Sequence, residues 1–440
     1  MSFYFCEIFK PRDAFGAEQT LLLYTYLLGL TPFRLRGQAG ERQFHLSKIG
    51  YLNAFLQLSF FSYCFLAALI EQQSIVGYFF KSEISQMGDS LQKFIGMTGM
   101  SILFLCSSIR VRLLIHIWDR ISYIDDRFLN LGVCFNYPAI MRLRLLQIFL
   151  INGVQLGYLI SSNWMLLGND VRPIYTAIVA FYVPQIFLLS IVMLFNATLH
   201  RLWQHFTVLN QVLKNLAHQW DTRSLKAVNQ KQRSLQCLDS FSMYTIVTKD
   251  PAEIIQESME IHHLICEAAA TANKYFTYQL LTIISIAFLI IVFDAYYVLE
   301  TLLGKSKRES KFKTVEFVTF FSCQMILYLI AIISIVEGSN RAIKKSEKTG
   351  GIVHSLLNKT KSAEVKEKLQ QFSMQLMHLK INFTAAGLFN IDRTLYFTIS
   401  GALTTYLIIL LQFTSNSPNN GYGNGSSCCE TFNNMTNHTL

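Results

Sequence analysis

The stretch L395-YFTISGALTTYLIILLQ-F413 decides how the whole chain is read. It is nineteen residues without a charge, the length that crosses about 30 Å of hydrocarbon as a helix. On a helical wheel Thr398, Gly401, Ala402, Thr405, Ile409 and Gln412 fall at i, i+3, i+4, i+7, i+11 and i+14, one narrow edge of small, hydroxyl and amide groups. The remaining faces are Leu, Ile, Phe and Tyr. A Gln412 amide turned to lipid would be unsatisfied, at a cost of about 2 kcal/mol or more, so that edge meets protein or water. Two arrangements meet the demand. Either another helix packs closely on the small residues and bonds Gln412, or several copies of the edge line an aqueous path with Ile409 as its constriction.

The rest of the chain has the same character. Of 440 residues 52% are hydrophobic and only 15% charged, a balance that excludes an ordinary soluble protein. Apolar runs of spanning length occur at about 47–70, 91–109, 145–168, 174–198, 278–303, 315–336 and 395–413. The predicted fold is therefore an all-α membrane protein with seven transmembrane helices. Thr20–Leu30 is too short to span, and the following TPFRLRG offers no small-residue cleavage site. It reads as an interfacial helix.

The net charge of +10 reflects topology, not nucleic-acid binding. Lys and Arg number 30 up to Lys48 at the mouth of span one and in the loops after spans two, four and six, against 7 on the other side. This positive-inside bias predicts a cytoplasmic N-terminus and an extracellular C-terminus, against which the basic loop Gly304–Lys313 stands alone. The tail carries glycosylation sequons at Asn424, Asn434 and Asn437, usable only outside the cytoplasm. The chain divides into a cytoplasmic segment 1–46, spans 47–198, a segment 199–277, spans 278–336, a segment 337–394, the last span 395–413 and an extracellular tail 414–440.

Segments 199–277 and 337–394 read as helix. Apolar stripes run through Leu202, Phe206, Leu209, Leu213, Leu216 and Trp220, through Ile261, Ile265, Ala268, Ala272 and Phe276, and through Val365, Leu369, Phe372, Leu376 and Leu379. Three such helices on one side of a membrane predict an intracellular helical anchor region.

No phosphate loop, HExxH or zinc-spaced cysteine pair occurs, so no cofactor, metal or enzymatic chemistry is expected. His262 and His263 are adjacent, too far apart around a helix to share a metal, and read as polar-face residues. The nine cysteines make no disulfide framework; only Cys428 and Cys429 fall in the predicted outer tail. Asp294, a carboxylate within span five, is a functional candidate by position. A G-protein-coupled receptor is disfavoured by the inside N-terminus and by the lack of an outer cysteine near the end of span three.

The run Thr405-Tyr406, five apolar residues, Gln412-Phe413 resembles the TYhhhhhQF signature of insect gustatory receptors, and FTAAGLFNIDRTLYFTISG, Phe383–Gly401, is also similar to that family. The resemblance implies a tetrameric, homo- or heteromeric ligand-gated cation channel of the plasma membrane, opened by a small-molecule tastant. It implies a last helix lining the pore, with Ile409 at the gate, Gln412 and Phe413 at the outer pore end, and Thr405 and Tyr406 supporting the helix. It also implies a ligand pocket in the outer half of the earlier spans. In this chain that half offers Tyr158, Asn163, Trp164, Tyr175, Tyr182, Gln185, Asp294, Tyr296, Tyr297 and Gln324. Within the family the AAGLF neighbourhood is closer to a branch associated with nucleosides, bitter compounds and warmth than to the sugar branch. The long tail departs from the family, whose chains stop soon after the signature. A seven-span receptor acting through cytoplasmic partners is the alternative.

Overall fold

A computed structural model describes residues 11–37, 42–71, 75–76, 79, 83–224, 250–303 and 312–415; the side chains of 83–86, 219–224 and 413–415 are outside the description. Among the described residues the helices are α1 (Ala14–Leu27), α2 (Lys48–Ile70), α3 (Glu83–Ile109), α4 (Val111–Asn130), α5 (Tyr137–Gly168), α6 (Tyr175–Ser224), α7 (Pro251–Leu302), α8 (Thr314–Lys359), α9 (Ala363–His378) and α10 (Thr394–Ser415). Seven of these, α2, α3, α5, α6, α7, α8 and α10, are long and apolar enough to cross a membrane. The three tail sequons and Cys428 and Cys429 lie outside the described residues.

Three helices dominate. α6, α7 and α8 contain 50, 52 and 46 residues. At 1.5 Å per residue each is about 70–78 Å long, more than twice the hydrocarbon thickness. Their apolar stripes therefore run past the spans without a break. Leu202, Phe206, Leu209, Leu213 and Leu216 of α6 and Ile261, Ile265, Ala268, Ala272 and Phe276 of α7 are all buried, and α9 adds Val365, Leu369 and Phe372 against α7 and α8. Trp220 is among the undescribed side chains. Gly338 lies where α6 and α8 approach: a Cβ there would lie 2.2 Å from Asn196 Oδ1, and that side chain would have to shift.

The interfacial helix read at Thr20–Leu30 is α1, and it packs on α5. Its Glu18, fully buried, takes a two-pronged bond from Arg144 of α5, whose Nε and Nη2 donate to Oε2 and Oε1 at 2.8 and 3.1 Å. Arg144 Nη2 also donates to the Ala197 carbonyl of α6 at 3.2 Å. A buried carboxylate is tolerable here because a bidentate guanidinium neutralises it. After α1 the chain reverses through Gly29, where φ is +75° and an added Cβ would lie 2.9 Å from Ala54 Cα, leaving no room for a side chain. β1 (Phe33–Arg36) and β2 (Gln43–Leu46) then pair antiparallel and lead into α2.

The amphipathic α4 adds a helix to those expected from the sequence. Val111, Leu114, Ile117, Trp118, Ile121, Ile124 and Phe128 make its buried stripe, chiefly against α7. On that face Asp125 is buried where Arg201 Nη2 and the Tyr137 hydroxyl donate to Oδ2, the latter at 3.0 Å, and His205 Nε2 lies 2.7 Å from Oδ1. Burial would raise the Asp125 carboxyl, but Arg201, His205 and Tyr137 outweigh it and hold it below the ordinary carboxylate range. Burial also holds His205 below its usual value, against the pull of Asp125.

His262 corrects the polar-face reading. It is fully buried between the rings of Phe206 and Phe372, with centroids at 5.8 and 5.6 Å, while His263 is exposed. Burial, then the charge of His263, pushes its pKa down to about 4. It is neutral at physiological pH.

Candidate functional site: an apolar cavity and an uncovered last helix

α10 is positioned from below by the similarity string itself. Thr384–Ala385 and Phe389–Asn390 form a short antiparallel pair, β3 and β4, turning through Ala386 and Gly387 with φ of 51° and 73°. Gly387 makes that left-handed turn without strain. The hairpin is clipped to α7: Thr384 N–H donates to Asn273 Oδ1 at 2.9 Å, Ala386 N–H to Thr277 Oγ1 at 2.6 Å, and Thr277 Oγ1 to the Thr384 carbonyl at 3.2 Å. Asp392 caps the next helix, accepting from Thr394 N–H at 2.8 Å. Arg393 then grips Glu337 of α8 with Nε and Nη2 at 2.9 and 3.0 Å. So FTAAGLFNIDR is a mounting that fixes the height and angle of α10.

Above this mounting α10 is barely covered. Only 6% of its apolar window is buried, against 61% for α6 and for α7. Leu395, Ile399, Leu403, Leu407, Leu410 and Leu411 face the core, and the neighbour they meet is chiefly α7. Thr398, Gly401, Thr405, Ile409 and Gln412 are exposed, with Ala402 half-buried. No atom lies within 4 Å of a Cβ built on Gly401. Thr398 and Thr405 donate to the carbonyls of Thr394 and Gly401, one turn back. Tyr406 is exposed, with its ring 5.9 Å from that of Phe288 on α7. The Phe413 side chain is outside the described residues. Among the described residues, then, the small-residue edge is left largely uncovered.

A cavity of ≈ 50 Å³ lies between α2, α3, α6, α7 and α8. It opens because its wall is built from small residues, Ala68, Gly96, Ala177 and Ala180, facing Phe65, Phe181, Ile286, Ile290 and Tyr328. Pro184 also lines it and interrupts the hydrogen-bond ladder of α6, leaving the Ala180 carbonyl without its helical donor. Polar character comes from Gln92 and from an Asp89–Lys93 ion pair at 2.9 Å.

None of the ten pocket residues read from the sequence forms that wall, but several neighbour it along its helices. Tyr182 and Gln185 flank Phe181 and Pro184, Asp294 is one turn from Ile290, and Gln324 is one turn from Tyr328. Tyr158, Tyr182, Tyr296 and Tyr297 join Phe79, Phe293, Phe312, Phe317, Phe320 and Phe321 in one buried aromatic cluster. Tyr182 donates to Ser162 Oγ at 2.6 Å. Tyr158 Oη, Gln185 Nε2, Asp294 Oδ2 and Gln324 Oε1 are buried with no hydrogen-bond partner among the described residues. Asn163 spends its amide on the Leu159 carbonyl at 2.8 Å. Trp164 and Tyr175 lie on the exterior of the bundle, 79% and 58% exposed. The cavity's alanines and Gly96 carry no chemical signal in a sequence, which is why an aromatic and amide search passes over them.

Fold, cavity and uncovered helix define a seven-span, all-α membrane protein of receptor type. A family model described as 7tm Chemosensory receptor matches residues 18–417, and the chain belongs to that family, in its insect gustatory receptor branch. It is 64% identical over 422 residues to gustatory receptor 28b of Drosophila melanogaster, covering 94% of this chain and 89% of that one. To gustatory receptor 28a of the same organism it is 35% identical over 448 residues, covering 96% and 98%. Among solved structures the fold is similar to the insect olfactory receptor OR5 from Machilis hrabei, with a TM-score of 0.60 at 14% identity over 90% of this chain and 97% of that one. A second structure of that receptor, in complex with eugenol, gives a TM-score of 0.52. The family comprises receptors, not enzymes.

Proposed function

We propose that this chain is a taste receptor that conducts: a ligand-gated, weakly selective cation channel of the plasma membrane in which α10 from four subunits, identical or related, surrounds the pore. The observation that carries the reading is the uncovered edge of α10, where Thr398, Gly401, Thr405, Ile409 and Gln412 are exposed among the described residues. An amide and hydroxyls on a membrane helix need a partner, and a shared aqueous path supplies one. Ile409 forms the hydrophobic constriction; Gln412 and Phe413 lie at its outer end. The neutral amide ring accounts for poor discrimination among monovalent cations.

The excess of Lys and Arg on one side supports a cytoplasmic N-terminus, an extracellular tail and intracellular extensions of α6, α7 and α8 acting as the anchor. The ligand is a small organic tastant held at this cavity, which widens to admit it, with Asp294, Gln185 and Gln324 on the same helices as polar selectivity groups. The eugenol complex of the olfactory receptor and the gustatory names of the relatives support this class of stimulus. Warmth is a second stimulus to be tried.

Whole-cell current from cells expressing the chain tests the reading. Ile409→Ala raises basal leak, and Gln412→Ala changes relative cation permeability. Unchanged leak and permeability in properly surfaced variants would transfer the receptor role to coupling through cytoplasmic partners.

A further inference from the structure

Well past the spans, α6 and α8 flank an open groove of ≈ 660 Å³. Lys345, Lys348, Ile352 and Ser355 recur at i, i+3, i+7 and i+10 and so share one face of α8, opposite Lys214 of α6. No carboxylate is among its lining residues as far as the described residues go. The two helices are held at this separation by a buried amide: Asn210 Nδ2 donates to the Lys345 carbonyl at 2.9 Å, and Thr349 Oγ1 donates to Asn210 Oδ1 at 2.7 Å. Like charges facing one another across a fixed gap repel unless an anion lies between them. The Lys345 ammonium registers this, held below the ordinary lysine range first by burial and then by Lys348 and Lys214.

We infer that this groove is a binding site for a soluble polyphosphate anion, seated between Lys214 of α6 and Lys345 and Lys348 of α8, with Ser355 as a hydroxyl donor and Ile352 as an apolar floor. Phosphate oxygens and lysine ammoniums form charge-assisted hydrogen bonds, and several phosphates on one small scaffold would engage both walls together. A lipid headgroup carries the same chemistry, but the distances favour the free anion. At 1.5 Å per residue Lys345 lies about 14 Å beyond residue 336, and Lys214 about 24 Å beyond residue 198. The headgroup layer adds only about 5–8 Å to the hydrocarbon on each side. The cytoplasmic source of such an anion rests on the orientation proposed above; binding itself does not.

The test uses the full chain in detergent micelles, titrated with inositol hexakisphosphate, and separately with vesicles containing a phosphatidylinositol bisphosphate. Saturable binding is expected, weakened about a hundredfold by Lys345→Gln/Lys348→Gln, roughly tenfold for each ammonium removed. Lys344→Gln/Lys361→Gln, equal in charge but outside the groove, should leave it unchanged. Matched unfolding midpoints establish that both variants fold. No saturable binding, or equal weakening by the two double variants, overturns the site. Binding to the vesicles alone overturns the soluble source and makes the groove a headgroup site. Loss of binding only on tetramer dissociation makes it a contact between copies of the chain.

Discussion

Asp125→Asn is the substitution whose cost the structure defines best. The asparagine keeps the shape and can still accept from Tyr137, but it removes the charge opposite Arg201, which is fully buried along with His205. Coulomb attraction to Asp125 is what offsets the desolvation of that guanidinium; Arg201 is otherwise near the Phe135 ring, 5.2 Å from its centroid, and donates to Gln204 at 2.8 Å. Breaking one partner of a buried pair costs about 3–5 kcal/mol. Arg201→Met should cost less, because the orphaned carboxylate keeps His205 at 2.7 Å and the pair can take up a proton. In the double variant neither charge is stranded, so its destabilisation should fall short of the sum of the two by about 2 kcal/mol or more. Unfolding of purified protein in mixed micelles against increasing denaturing detergent, followed by tryptophan fluorescence, reads all three. An Asp125→Asn cost below about 0.5 kcal/mol, or strictly additive variants, would refute the account of this network.

Three further outcomes are expected. His262 has a folded pKa of about 4, below its unfolded value near 6.5, so its contribution is complete above pH 6.5 and is lost as pH falls towards 4. Lowering pH from 7.5 to 5 should remove about 2 kcal/mol through this residue, and His262→Gln should lose correspondingly less between the same two pH values, measured by unfolding midpoints. Gly29→Ala forces a side chain onto a φ of +75° and into Ala54 Cα, and should destabilise by about 2 kcal/mol or more in the same assay, with Gly401→Ala, where space is open, as the contrast. Ala180→Phe fills the cavity beside Pro184; agonist potency should drop about tenfold or more while surface expression is kept, and unchanged potency would remove this cavity as the ligand site.

Hydropathy locates the seven apolar helices because a run of about twenty uncharged residues has few other uses. It is weaker wherever charge is buried by pairing. Glu18 and Arg144 look like surface residues until they meet across α1 and α5. In α4 the basic residues read first as markers of topology, and they hide an apolar stripe from Val111 to Phe128 that is legible by period. His262 misleads for a similar reason: adjacency to His263 suggests solvent, and only the ring contacts with Phe206 and Phe372 reveal burial. At the candidate site the sequence exposes groups with chemistry, such as Asp294 and Tyr182. A cavity is made by what is small or missing, and Ala177, Ala180 and Gly96 announce nothing until five helices are assembled around them.

The unbroken course of α6 has a mechanical corollary. From Pro184, beside the cavity, to Leu216 the helix runs about 48 Å as one rod. A pivot of only about 2° at the proline would sweep its distant tip through roughly 1.7 Å, comparable to the helix displacements that accompany switching at subunit interfaces. On the proposed reading, a molecule too small to touch more than a few side chains would hold the short arm of a long lever, and the far end of the bundle would feel its arrival without any intervening relay.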